Sequence, residues 1–140
     1  KIQKRYTAIV SGDTSILSDS GTIAEKIEKS EDGIKRIISD NGQDAITHYK
    51  IVKRGEKYSV LELLLETGRT HQIRVHMNYI HHPVLGDMLY GKRKDKFNLM
   101  WPMLRSKKIG FLHPITSEKM EFTAAMPYEF KRILRILRQK

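Results

Sequence analysis

Apolar and polar positions alternate in two different rhythms, and the change falls near residue 70. Before it, the apolar runs are short, β-branched or aromatic, and bounded by glycine. Tyr6-Thr7-Ala8-Ile9-Val10, closed by Ser11-Gly12, reads as a strand. Residues 18–44 are polar, with Gly21, Gly33 and Asn41-Gly42 as punctuation, which predicts short strands or turns around a mobile loop. Ala45 to Val52 and Tyr58 to Glu66 are apolar-rich, and the glycine-containing connector Lys53-Arg54-Gly55-Glu56-Lys57 makes them a β-hairpin. From Thr70 the period lengthens. Ile73, Met77 and Ile80 fall at i, i+4 and i+7, one face of a helix, with Thr70 as its N-cap and Pro83 as its stop. Val84 to Lys96 is turn-rich and basic, and Ile109 to Leu112 and Met120 to Ala124 read as another strand pair. Pro127 opens a last helix with a stripe of Phe130, Leu134 and Leu137. Strands outnumber helices and pair locally, so the predicted class is α+β, built on a largely antiparallel sheet.

Composition narrows the partners more than the fold. The 140 residues fit one domain, and 39% hydrophobic residues is ordinary for a globular chain. Lys and Arg total 26 against 16 Asp and Glu, a formal charge of +10 that favours polyanions, either nucleic acid or an acidic membrane surface. No run approaches the ~18 apolar residues of a spanning helix, and no signal-peptide pattern opens the chain. Without cysteine, disulfides and thiolate metal sites are excluded, which suits the cytoplasm. The chain starts at Lys1 inside a basic run, as a piece of a longer sequence would.

Candidate chemistry is concentrated between Leu65 and Met77: a strand, a glycine turn at Gly68, and a helix start flanked by Arg69. A helix N-terminus offers free N–H groups and partial positive charge, suited to phosphate or carboxylate. His71, Arg74 and Asn78, at i, i+3 and i+7, share a face beside the apolar one. Arg74 thus projects from the edge of the core, where its natural buried partner is an anion. Read alone, Tyr6 is a core aromatic, and Arg69 and Arg74 fit structural ion pairs as well as a site. His71 and His76, at i, i+5, splay roughly 140° apart at ~100° per residue, so no metal is expected there. His76 and His82 read as hydrogen-bonding scaffold, Asp87 and Tyr90 as fixing the turn between Gly86 and Gly91. The Lys92-Arg93-Lys94, Lys107-Lys108 and C-terminal basic residues read as solvated surface whose number also fits a phosphate-contacting face.

The run L-x-T-G-R-T-H-Q-I-R-V-H-M at 65–77, then His82-Pro83 and Gly86-Asp87-Met88-Leu89-Tyr90-Gly91, resembles the RluA-type branch of the pseudouridine synthases. Lys4-Arg5-Tyr6-Thr7-Ala8 is similar to that family's K-x-Y-x-A strand, Ala45-Ile46-Thr47-His48-Tyr49 to its A-x-T-x-Y strand, and Gly110-Phe111-Leu112-His113-Pro114 to its F-x-H-P element. The resemblance implies a cofactor-free isomerisation in which an aspartate breaks the uridine glycosidic bond, the uracil turns, and a C–C glycoside forms. It implies two catalytic residues: Tyr6, stacking beside the base and aiding proton transfer, and Arg74, pairing with the aspartate. Leu104 matches an apolar residue near the base, although the family's L-H-A reads L-R-S here. Arg69 and His71, at the turn that opens the helix, are assigned with Leu104 to substrate binding. The family's nucleophile lies in H-R-L-D-x-x-T-S-G, before the K-x-Y-x-A strand. Neither Asp13 nor Asp87 matches it, so it is expected before Lys1 and the 140 residues alone are expected to be inactive. The implied partner is ribosomal or transfer RNA, with no small-molecule cofactor and no membrane, in the cytoplasm. The alternatives are a non-catalytic RNA-binding module of the same fold, or a basic domain that meets membranes or proteins through its last helix.

Overall fold

The computed structural model describes residues 4–91, 97, 99, 101–106 and 127–138, the last stretch with side chains for 130–136. Strands β1 (Lys4–Ser11), β2 (Ser20–Ile23), β5 (Thr47–Lys53), β6 (Tyr58–Leu65) and β7 (Leu104–Ser106) form one sheet in the order β2-β5-β6-β1-β7. Every neighbouring pair in it is antiparallel. Strands β3 (Ile27–Lys29) and β4 (Arg36–Ile38) make a separate hairpin. Helices α1 (Gln72–Tyr79) and α2 (Pro127–Arg138) and a single 3-10 turn at Thr14–Ile16 complete the described elements. The expected α+β class and largely antiparallel sheet are what these elements build. The strand pair expected at 109–112 and 120–124 lies outside the described residues.

The period-2 pattern of β1 and β6 divides the core. Tyr6, Ala8 and Val10 face α1 together with Leu61, Leu63 and Leu65, and Ile73 and Met77 of α1 close this layer. Ile9 and Val60 point the other way, where Leu85, Leu99, Met103 and the α2 residues Phe130 and Ile133 cover them. The α2 stripe therefore runs through Phe130 and Ile133, with Leu134 partly buried, rather than through Phe130 and Leu134 alone; the Leu137 side chain lies outside the described residues. Fully burying each such aliphatic side chain contributes about 1.5–3 kcal/mol before the entropy of ordering it is subtracted. The β5–β6 hairpin forms as expected, with a bulge between Ile51 and Lys53 that turns Val52 out to solvent. The polar stretch at 18–44 is more regular than expected. Its centre is the β3–β4 turn, where Asp32 accepts the Ile34 N–H and the Ser30 hydroxyl.

Helix α1 differs from its sequence expectation at both ends. It begins at Gln72, after His71 rather than Thr70, and His71 takes the left-handed conformation with φ 57° and makes no side-chain cap. It stops at Tyr79, before Pro83 acts. His81 is also left-handed at φ 71°, and the N–H groups of His81 and His82 donate to the Asn78 and Met77 carbonyls. That pair of bonds is a Schellman motif, with histidine where glycine is usual. Past that cap the Pro83 carbonyl accepts the Ser11 N–H, which ties the chain to the end of β1.

Candidate active site

The expected stripe of Ile73 and Met77 meets the sheet, but all six residues from Gln72 to Met77 are buried. The sheet covers one side of α1, the β3–β4 hairpin another, and the segment 82–91 a third. Polar side chains on such a helix must each find a partner, because an unsatisfied buried polar atom costs on the order of 1–3 kcal/mol. Gln72 uses its whole amide. Its Oε1 accepts from the Thr67 hydroxyl (2.7 Å) and the Arg69 N–H (3.0 Å), and its Nε2 donates to the Ile46 carbonyl (3.0 Å) and Thr47 Oγ1 (2.9 Å). Thr47 passes its own proton to His76 Nδ1 at 2.8 Å, and His76 Nε2–H donates to the Glu25 carbonyl at 2.9 Å. The bonds fix His76 as the neutral Nε2–H tautomer, and desolvation lowers its pKa in keeping with that. His76 is thus the scaffold its spacing suggested. So is His82, whose Nδ1–H donates to the Ser11 carbonyl at 2.9 Å.

The next flank of α1 carries Arg74. Its Nε–H donates to Asp87 Oδ2 at 2.8 Å and its Nη2–H to Oδ1 at 2.9 Å, a two-point grip on a carboxylate with no exposed surface. Asp87 Oδ1 also accepts the Leu89 and Tyr90 N–H groups, both at 3.1 Å. Asp87 therefore does fix its turn, as expected, and it also supplies within the chain the buried anion anticipated for Arg74. The Tyr90 ring lies 5.1 Å from the guanidinium carbon. Its hydroxyl accepts the Arg36 N–H (3.0 Å), which leaves its proton for His71 Nδ1 (2.7 Å). His71 is consequently neutral with its proton on Nε2. Desolvation and the neighbouring Arg74 and Arg36 charges push its pKa down to about 4. Gly86 permits this turn: its φ is +84°, and a Cβ there would stand 2.2 Å from the Trp101 carbonyl oxygen.

Tyr6 and Leu104 form a second group, on the sheet. Leu104 pairs with Ala8, two positions along from the Tyr6–Ser106 pair, so both side chains lie on the same face as diagonal neighbours. Tyr6 is 4% exposed, and burial pushes its phenol up to about 12, so it holds its proton throughout the neutral range. It also lines a depression of about 220 Å³ together with Arg5, His48, Lys50 and Glu62. The two groups meet through α1, where Ile73 packs in the Tyr6 cluster and Arg74, the next residue, turns to Asp87, and through Val84, which packs in the same cluster three residues before Asp87. Arg69 stands apart from both. Its Nε–H donates to the Asp44 carbonyl at 2.7 Å, tying the helix-opening turn to the segment before β5. Sequence reasoning missed Gln72 and the reach of Asp87. The only available signal was polarity at positions the 3.6-residue period places inside the core.

A family model described as RNA pseudouridylate synthase matches residues 1–79, and the chain belongs to that family. An uncharacterized RNA pseudouridine synthase of Bacillus subtilis, YlyB, is 38% identical over 99% of this chain and 45% of its own length. The ribosomal large subunit pseudouridine synthase D of Haemophilus influenzae is 38% identical over 99% of this chain and 46% of its own. The chain thus spans about half the length of the curated relatives it matches. Among solved structures, human RNA pseudouridylate synthase domain containing 1 superposes with a TM-score of 0.67 over 99% of this chain and 66% of that one, at 22% identity, which shows the shared fold.

Proposed function

We propose that this chain is the uridine-positioning part of an RNA pseudouridine synthase acting on ribosomal RNA. The nucleophilic aspartate is supplied by sequence outside these 140 residues. The observation that carries the reading is the adjacency of Tyr6 and Leu104 on the sheet face under the helix that presents Arg74, in the order the family motifs require. Tyr6 stacks beside the target uracil and, as a protonated phenol, takes part in moving the proton at C5. Leu104 packs against the base edge. Arg74 holds the aspartate ionised and aimed at the sugar, and Arg69 and His71 line the approach of the RNA. A charge of +10 gives the polyanion its attraction. The names of the relatives support ribosomal over transfer RNA as substrate. No described helix is long and apolar enough to cross a membrane; the cytoplasm is the compartment where such an RNA is met. The reaction needs no small-molecule cofactor.

The test is to incubate the full-length protein that carries this chain with unmodified ribosomal and transfer RNA transcripts and map pseudouridine. Conversion at a defined ribosomal uridine is expected. The 140 residues alone are expected to convert none, because neither a phenol nor a guanidinium replaces a carboxylate as nucleophile at the sugar. Salt-dependent RNA binding by the full-length protein without conversion would instead identify a non-catalytic binding module.

A further inference from the structure

We infer that Asp87 is a positioning residue for Arg74, holding one edge of the guanidinium so that the other is presented, already oriented, to the catalytic carboxylate. The inference rests on the isomerase reading above. A guanidinium offers five N–H groups on two usable edges. Asp87 takes the Nε and Nη2 edge, while the Nη1 side has no hydrogen-bond partner among the described residues.

Neither partner is free to swing. The Asp87 carboxylate has no exposed surface, and its Oδ1 is pinned by two backbone N–H groups. The guanidinium plane is backed by the Tyr90 ring, and that ring is anchored through its hydroxyl to His71 and to the Arg36 backbone. Orientation is therefore fixed from three sides before any second carboxylate arrives.

The turn does not need the ion pair. Its caps use Oδ1, whereas Oδ2 has Arg74 Nε as its described partner. The segment is independently tied down by the Leu85 N–H on the Ile9 carbonyl, the Met103 N–H on the Leu85 carbonyl and the Gly91 N–H on the Asp87 carbonyl. Nor is stability a sufficient reason, since a buried ion pair often contributes no more than an apolar pair of the same volume. What the pair supplies is direction, and misplacing a catalytic group by ~1 Å can cost ~100-fold in rate.

The experiment is a double-mutant cycle in the full-length protein, read as single-turnover pseudouridine formation at saturating enzyme, with RNA affinity measured alongside. Asp87→Asn keeps Oδ1 for the Leu89 and Tyr90 N–H groups and puts an amide NH₂ against Arg74 Nε–H. Its rate is expected to fall at least ~10-fold with RNA affinity within ~2-fold. In an Arg74→Lys background the same change is expected to cost almost nothing, because the group it positions is gone. Equal losses in both backgrounds, or a normal rate in Asp87→Asn, would overturn the positioning role. Should Asp87→Asn not fold, Tyr90→Leu carries the test: removing the ring behind the guanidinium lowers the rate at saturating enzyme ~5-fold, and no loss of that rate overturns the role. An inactive wild type fails the isomerase reading itself, whereas an active wild type with unaffected variants fails the positioning role alone.

Discussion

Helix α1 lies between two kinds of neighbour. Toward the sheet, Ile73 and Met77 meet Tyr6, Ala8, Leu61 and Leu63, an apolar contact with no direction beyond shape. Toward the segment 82–91, Arg74 meets Asp87 and Tyr90 through bonds whose donors and acceptors are each assigned. The first contact stabilises the fold and tolerates exchange among side chains of similar volume. The second has little margin, because both Asp87 carboxylate oxygens are already engaged, and its value lies in where it places a charge. One eight-residue helix thus carries a folding surface and a site surface about a quarter turn apart.

The largest effect should come from cutting the polar flank on one side only. Arg74→Ala leaves the Asp87 carboxylate buried without its cation and is expected to cost about 3–5 kcal/mol in urea unfolding. Arg74→Met combined with Asp87→Asn should recover most of that loss, since no buried charge is left unpaired. On the apolar flank, Met77→Leu should cost less than about 1.5 kcal/mol, although Met77 has no exposed surface. A mild Arg74→Ala or a severe Met77→Leu would erase the contrast.

Tyr6 tests whether the apolar flank also reaches the chemistry. Tyr6→Phe keeps the ring in the core and removes the proton-bearing hydroxyl. Stability should change by about 1 kcal/mol or less, and the single-turnover rate should fall ~100-fold. Equal falls in stability and rate would make Tyr6 a core residue and nothing more.

A smaller effect concerns pH. An unfolded histidine titrates near 6.5, and folded His71 near 4, so the folded state binds fewer protons between those values. The stability His71 contributes is therefore complete above about 6.5 and is lost as pH falls toward about 4. His76 acts in the same direction. His71→Asn, which tolerates the left-handed backbone, should flatten the melting temperature across that window relative to wild type. An unchanged slope would show that burial and the Arg74 and Arg36 charges do not hold His71 neutral.

Periodicity made the sheet flank legible. The alternation through β1 and β6 and the spacing of Ile73 and Met77 are consequences of repeating geometry, and a single sequence displays them. The loop flank has no period. Arg74 and Asp87 are 13 residues apart, and His71 and Tyr90 are 19 apart, joined only by the path of the chain through His81, Pro83 and Gly86. The resemblance to a family marked these residues, but it could not say that Arg74 and Asp87 hold each other. Thr70 was a sound N-cap by type and still gave way. The Gln72 amide took up the N–H of Arg69, and a left-handed His71 was needed to reach Tyr90.

Arg74→Lys in the full-length protein tests most directly whether the loop flank exists for chemistry. The lysine keeps the positive charge but cannot grip Asp87 with one edge and offer another. Measured as single-turnover pseudouridine formation at saturating enzyme, the rate should fall ~100-fold while RNA affinity stays within ~2-fold. A rate within ~3-fold of wild type would show that charge alone suffices, and the oriented guanidinium would have no part in the reaction.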